Sequence, residues 1–223
     1  MLDYLKKYDK SVKIVNINDM DKTTIPEYWV KVLILESAEE RAKKVLECWE
    51  ISFALELSNT IDYLKHNLDD VLLLESNGKY SLLYCIKNLA GKIVYYQGSN
   101  PIESLKNNEL LKKIGTVSPK LEEFYNKVHN GFYHYSSHAM GLVPLSEIIY
   151  FVEYDWGIID DLKEPIKIKL DSTYGVFSSG SGGYVAIDIS NKKSTVWFSN
   201  DLPDYDVKFW NVVDEWIQIG LED

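Results

Sequence analysis

The chain has 223 residues, of which 46% are hydrophobic and 26% are charged, and its formal net charge at pH 7 is −10. This length suits one or two domains. The 16 Tyr, 7 Phe and 6 Trp residues supply more core-forming area than a disordered chain carries, so disorder is excluded. No apolar stretch approaches the roughly 18 residues that span a bilayer, and no apolar signal segment follows Met1. We therefore expect a cytoplasmic protein that does not contact membranes.

Negative charge is concentrated in the last third of the chain. From Pro144 onward there are 15 Asp and Glu against 6 Lys, whereas residues 1–143 hold 19 acids against 18 bases. Because phosphate contacts need clustered Lys and Arg, we expect no direct binding to nucleic acid. Cys48 and Cys85 form no metal-binding spacing, and free buried thiols are expected for both. Nothing in the sequence indicates a cofactor.

Residues 1–115 are predicted to form an appended N-terminal α+β segment, either separate or part of one compact unit with the rest. An apolar and β-branched run predicts a strand over residues 29–35. Ser37 and Glu40 form a capping box, so a helix is expected from residue 38 into the mid-fifties.

Three further strands and a second helix complete the predicted N-terminal segment. Short runs rich in β-branched and aromatic residues occupy 71–75, 80–87 and 92–97. We expect them to form an antiparallel meander, because an Asn-Gly turn separates the first two. Pro101 is expected to open a helix that Gly115 ends. The predicted order is thus strand, helix, meander, helix.

Residues 116–223 are predicted to begin and end with helices that flank several strands. Pro119 suits the first position of a helix, which Asn130-Gly131 is expected to end. A terminal helix is expected from Asp206, whose carboxylate would favour its positive end. The predicted strands occupy 166–170, 175–178, 184–189 and 195–198. The expected fold class is α+β.

Three histidines lie within ten residues and could bind a transition metal. His129, His134 and His138 are spaced by five and four residues, and Gly131 interrupts the helix between the first two. This spacing does not place all three on one helix face, and no HExxH motif is present. A metal-assisted hydrolase using this cluster is therefore kept only as an alternative function.

The glycine-rich stretch over residues 178–183 is the second candidate for chemistry. Such loops cradle phosphate when they open a helix, but this one precedes a predicted strand. No GxSxG motif is present either. We therefore predict that the protein is not an enzyme and has no catalytic residue.

Acidic residues interleaved with aromatic residues form the candidate binding site. Two interpretations remain open: a solvated acidic surface, or an interface for a basic partner in which aromatic anchors lie within a steering field. The candidate partner-binding residues are Glu153, Tyr154, Asp155, Trp156, Asp160, Asp161, Asp201, Asp204, Tyr205 and Asp206.

Two groups of residues resemble the SMI1/KNR4 (SUKH) superfamily. The first matches a proline-started helix that carries aromatic residues and ends in Asn-Gly: Ser118, Pro119, Leu121, Phe124, Tyr125, His129, Asn130, Gly131 and Phe132. The second matches a strand pair in which a glycine-rich turn leads into a strand that ends in Asp, and the partner strand carries Trp: 176–177, 181–188 and 195–198. The resemblance spans residues 116–200.

The resemblance implies a SUKH-like antiparallel or mixed sheet packed against helices, in a non-enzymatic binding domain. In bacteria such domains are most often immunity proteins that neutralise a toxin, frequently a nuclease, and a general adaptor is the other role implied. The partner would then be a cognate basic toxin, with the oligomeric state left open. We expect the glycines among the fold-holding residues to supply turn conformations that other residues avoid. The expected fold-holding residues are Pro119, Gly131, Gly182, Gly183, Asp188 and Trp197.

Overall fold

The computed structural model describes residues 1–103, 109–199 and 201–223. Helices in this part of the chain are α1 (Leu2–Leu5), α2 (Glu27–Leu33), α3 (Ala38–Phe53), α4 (Ser58–Asn67), α5 (Glu109–Gly115), α6 (Pro119–Lys127) and α7 (Phe209–Glu222). Strands are β1 (Lys13–Ile14), β2 (Leu68–Ser76), β3 (Lys79–Lys87), β4 (Ile93–Ser99), β5 (Phe132–His134), β6 (Ala139–Leu142), β7 (Ile149–Tyr150), β8 (Thr173–Ser178), β9 (Gly183–Asp188), β10 (Lys193–Phe198) and β11 (Asp204–Tyr205).

The strands form one open sheet in the order β1-β2-β3-β4-β5-β6-β8-β9-β10-β11, with β7 paired to β8. Each of these pairs is antiparallel. The predicted α+β class is confirmed. Because β4 pairs with β5, with Tyr96 opposite His134, the sheet continues across residue 116. The N-terminal and C-terminal parts of the chain therefore share one sheet.

The two faces of the sheet are covered differently. Helices α2, α3, α4, α6 and α7 cover one face with a large core that contains Trp29, Trp49 and Phe124. The other face carries a smaller cluster beneath α1, which includes Leu5 and Leu83. Successive side chains of a strand point to opposite faces, so β3 supplies both cores and reads as a continuous apolar run.

Several sequence predictions are confirmed. Helix α3 begins after Ser37, whose Oγ accepts a hydrogen bond from the Glu40 amide at 3.4 Å. The predicted meander is formed by β2, β3 and β4. Its first turn places Asn77 and Gly78 at φ 51° and 78°, which is the geometry that an Asn-Gly hairpin requires. Pro119 occupies the first turn of α6.

The strand predicted over residues 29–35 is wrong, because this segment forms helix α2. Pro26 precedes the helix at its N-cap, and Trp29 and Val32, three residues apart, both turn into the main core. An apolar run of this length satisfies the spacing of either element, and packing against α3 decides in favour of the helix.

The strand predicted over residues 166–170 is also wrong. Ile168 is buried in a loop that leads into a short 3₁₀ turn over Leu170–Ser172. Strand β8 has no free edge for another partner, because β9 pairs along one side and β6 and β7 along the other. The apolar side chains of Ile166, Ile168 and Leu170 pack on the buried cluster that contains Trp197, and this segment forms no strand.

Two predicted helices differ in their limits. Helix α7 begins at Phe209, and Asp206 lies before it at φ 59°, where its carboxylate pairs with Lys193 at 2.7 Å. It is thus not at the helix N-terminus as expected. The helix expected from Pro101 consists of a 3₁₀ turn over Pro101–Glu103 and of α5, while residues 104–108 lie outside the described residues. None of the described helices is long and apolar enough to cross a bilayer.

A buried carboxylate joins the last helix to α4. Asp214 on α7 accepts hydrogen bonds from the backbone amides of Asn59 and Thr60, at 3.0 and 2.8 Å. These amides lie in the first turn of α4, whose own N-cap residue, Leu57, has no side-chain cap. Asp214 therefore caps α4 from a distant part of the chain, and its charge favours the positive end of that helix.

Replacing Asp214 with Ala should lower the free energy of unfolding by about 2–3 kcal/mol, because two hydrogen bonds to a charged group are lost and buried amides remain unpaired. Urea denaturation measures this change. The neighbouring Glu215 is exposed, and Glu215→Ala should change stability by less than about 0.5 kcal/mol. Equal, small effects of both substitutions would contradict the capping role.

Candidate functional site

A pair of stacked tryptophans supports the candidate site. The rings of Trp156 and Trp197 lie 4.2 Å apart at 16°. They belong to a third buried cluster that also contains Phe151, Ile168 and Ala186. Trp156 Nε1 donates to the Phe151 carbonyl at 2.9 Å, and Trp197 Nε1 donates to the Asp201 carbonyl at 2.8 Å. The stack therefore attaches both acidic segments, 153–161 and 201–206, to β9 and β10.

Trp156 does not present its ring to a partner, contrary to its predicted role. The residue is only 4% exposed, and its indole N–H is already hydrogen-bonded. Burying an indole removes a large apolar area from water, and the rings of Trp197 and Phe151, at 4.2 and 4.4 Å, both cover Trp156. Trp156 is therefore a supporting residue of the surface and not a contact residue.

The other predicted site residues lie at or near the surface. Tyr154 is 47% exposed, and its ring contacts Trp156 at 6.4 Å. Tyr205 is half-buried: its hydroxyl accepts from the Lys167 amide at 3.3 Å, and Lys167 Nζ lies 5.3 Å from its ring. The exposed acids are Glu153, Asp155, Asp160, Asp161, Asp201, Asp204 and Asp206.

Most of these acids have no cationic partner among the residues that the structure describes. Asp206 is the exception, because it pairs with Lys193. Lys167 also lies beside Tyr205 on this side. Segment 201–206 is therefore partly neutralised by lysines, whereas the acids of segment 153–161 form no ion pair with a described residue.

Two exposed apolar residues beside the candidate site were missed by the sequence analysis. Val152 and Leu202 are 49% and 63% exposed and lie next to Glu153 and Asp201. An aliphatic residue within or beside an acidic run is the sequence signal for both, just as an aromatic residue in such a run is for Tyr154. We call the surface formed by the seven exposed acids with Val152, Tyr154, Leu202 and Tyr205 the acidic face.

Asp188 holds the loops beneath this surface. Its buried carboxylate accepts hydrogen bonds from Ser172 Oγ at 2.7 Å, the Lys169 amide at 3.2 Å, the Ser190 amide at 2.9 Å and Asn191 Nδ2 at 2.7 Å. Burial acts to raise the pKa of Asp188, but these donors outweigh it and the pKa lies below its ordinary value. The ionised form therefore pins segment 169–172 to the β9–β10 turn.

The predicted structural glycines act in two different ways. Gly131 and Gly182 have φ of 89° and 83°, the left-handed conformation that glycine adopts without strain. Gly183 lies within β9, and a Cβ there would come within 2.3 Å of the Phe198 ring. Its expected turn role is therefore wrong, because close packing of Phe198 is what requires glycine. Trp197 is fully buried.

Three backbone amides of the glycine-rich loop are bonded within the loop. Ser179 Oγ accepts from the amides of Gly183 and Ser181, at 3.0 and 3.3 Å, and Ser178 Oγ accepts from Gly180 at 3.3 Å. These amides are therefore engaged within the turn between β8 and β9, and they do not form a phosphate cradle.

The three histidines of the metal alternative do not converge. His129 is buried in the main core, where its Nε2 shares a hydrogen bond with the Tyr84 hydroxyl at 2.7 Å, and burial lowers its pKa to about 3. His134 Nδ1 lies 3.0 Å from Ser137 Oγ, and His138 Nδ1 lies 3.9 Å from a Glu147 carboxylate oxygen. Among the described residues, no group of three or more His, Cys, Asp or Glu side chains could hold a metal ion.

Comparison with known proteins gives no match: neither a family model, nor a curated protein, nor a solved structure is similar to this chain.

The burial of Trp156 gives a direct test of its supporting role. Trp156→Ala should lower the free energy of unfolding by about 3–5 kcal/mol, because it leaves a cavity against Trp197. Tyr154→Ala, two residues away on the exposed side, should cost less than about 1 kcal/mol. Chemical denaturation of both variants measures the difference. A Trp156→Ala variant as stable as the native protein would contradict the supporting role of the Trp156 ring.

Proposed function

We propose that the protein is a non-enzymatic binding protein that recognises a basic protein partner through the acidic face, as an immunity protein of SUKH type would bind a cognate toxin. The observation that carries this proposal is the combination of exposed carboxylates with exposed apolar side chains on a surface fixed by the Trp156–Trp197 stack. Apolar side chains grouped on a surface and rimmed by polar residues are typical of protein interaction sites.

Electrostatics would drive the encounter. The segment after Pro144 carries an excess of nine negative charges over its lysines, and the rest of the chain is nearly balanced. Such a field raises the association rate of a cationic partner by about 10- to 1000-fold at low salt. A nuclease toxin must itself be basic to hold phosphates. An acidic inhibitor can therefore occupy the surface that the substrate would use.

Apolar contacts would slow dissociation. Val152, Tyr154 and Leu202 project from the two acidic segments, which are both tied to the tryptophan stack. Side chains that are already positioned lose little conformational entropy when a partner covers them. The acids around them would form the polar rim of the interface, and the three apolar side chains its centre.

Neutralising the acids should affect association. In a variant with Asp155, Asp160, Asp161, Asp204 and Asp206 changed to Asn, the association rate for the protein product of the neighbouring gene should fall at least about tenfold at low salt. Its salt dependence should flatten, and dissociation should change little. Stopped-flow or surface binding measurements at several salt concentrations test this.

The matched control removes the same charge elsewhere. Asp3, Asp19, Glu36, Glu39 and Glu109 are exposed and precede residue 116. Their neutralisation reduces the net negative charge by the same amount but leaves the acidic face intact, so association should remain within about threefold of the native rate. Equal slowing by both variants would mean that net charge alone acts. No slowing by either would contradict the proposal.

The apolar residues should control dissociation instead. Leu202→Ala and Tyr154→Ala should each raise the dissociation rate by about tenfold, because most of the binding energy of an interface lies in a few anchor residues. Association should be nearly unchanged. Leu89→Ala is the control, since Leu89 is also highly exposed but lies in the β3–β4 turn. An unchanged dissociation rate for both Leu202→Ala and Tyr154→Ala would show that these residues do not lie in the interface.

A further inference from the structure

A recess lies on the less covered face of the sheet, away from the acidic face. It has a volume of about 290 Å³. Its lining residues are Ser76, Asn77, Lys79, Tyr80, Ser81, Gln97, Ser99, Asn130, Tyr133, Pro144, Ser146 and Glu147. Cross-strand pairing of Ser76 with Lys79, Ser81 with Ser99 and Gln97 with Tyr133 places these six side chains on one face of β2 to β5.

The residue types on this face change along the strands. Beneath α1 the face carries Leu74, Leu83 and Cys85, which are buried in the smaller core. Beyond α1 the same face of β2 and β3 carries Ser76 and Ser81. A sheet face in water normally bears longer or β-branched side chains. Small hydroxyl side chains at adjacent positions leave a concavity that longer side chains would fill.

Hydrogen bonds fix the polar groups at the floor of the recess. Gln97 Nε2 donates to Ser81 Oγ at 3.1 Å, and Ser81 is only 6% exposed. Ser99 Oγ and the Tyr133 hydroxyl share a hydrogen bond at 3.0 Å. Asn130 Oδ1 accepts from the Leu145 amide at 3.0 Å. These contacts leave Gln97 Oε1 as an acceptor and Asn130 Nδ2 as a donor, with no partner among the described residues.

The chemistry of the lining selects the class of ligand. Nine of its side chains are neutral hydroxyls or amides, and the charged ones are a single lysine and a single glutamate. Hydroxyl groups both donate and accept, as these side chains do. We propose that the recess binds a neutral, hydroxyl-rich ligand of monosaccharide size. The volume is near the lower end of small-molecule sites, which suits one sugar unit.

Methyl glycosides of glucose, galactose, mannose and N-acetylglucosamine are suitable ligands for the test. Saturation-transfer NMR and titration calorimetry on the full chain should show saturable binding of at least one, with a Kd of about 1 mM or tighter. The variant Ser81→Val Ser99→Val fills the recess with residues that favour strands. It should bind at least about tenfold more weakly.

Ser194→Val is the matched control, because Ser194 is a strand serine of β10 that does not line the recess, and its binding should equal that of the native protein. If the double variant does not fold, as judged by circular dichroism, Gln97→Leu takes its place with the same expectation. Absence of saturable glycoside binding to the native protein, or equal binding by the folded recess variants, would overturn the proposal. Binding of free amino acids in place of glycosides would overturn it as well.

Discussion

Trp49 is the point at which the early and late parts of the chain become one core. Its ring lies 6.1 Å from Tyr84 on β3, 5.6 Å from Phe124 on α6 and 4.9 Å from Phe132 on β5. Its Nε1 donates to the Tyr84 hydroxyl at 3.2 Å, and that hydroxyl is bonded to His129. Most buried polar groups in proteins are paired, and the pairing of Trp49, Tyr84 and His129 helps to fix how β3, β5 and α6 meet. The C-terminal strands, and the acidic face at their end, are positioned by that junction.

Buried and exposed aromatic residues have separate tasks in the C-terminal part. Trp156 and Trp197 hold segments 153–161 and 201–206, which contain little regular secondary structure. Asp188 adds hydrogen bonds where backbone pairing is lacking. Because these groups fix the loops, the exposed side chains of the same segments are not needed for stability. Under the proposed function, neighbouring residues of the same short segments would serve stability and recognition separately.

The sequence predicted long periodic elements well and irregular ones poorly. Helix α3 and the meander were predicted correctly because a capping box and an Asn-Gly turn specify them locally. The strand prediction for residues 29–35 was wrong because a short apolar run fits either a helix or a strand, and only packing decides between them. At the candidate site, the sequence predicted the exposed acids correctly. It could not predict whether Trp156 is buried, because a tryptophan among acids has the same local sequence pattern whether its ring faces solvent or packs on a second indole. The ring of Trp197, some 40 residues later, supplies the burial of Trp156.

In the proposed interface, the mixture of charges and apolar groups on the acidic face would also restrict which partners can bind. Exposed carboxylates repel one another weakly in water, by about 1 kcal/mol for two charges 4 Å apart, so they cost the free protein little. A neutral partner that covered Leu202 and Tyr154 would also remove water from the neighbouring carboxylates without replacing it, and that desolvation is expensive. A cationic partner compensates the same carboxylates while it covers the apolar side chains. In the proposed interface, the apolar side chains would therefore favour binding in general, and the acids around them would confine that binding to basic surfaces.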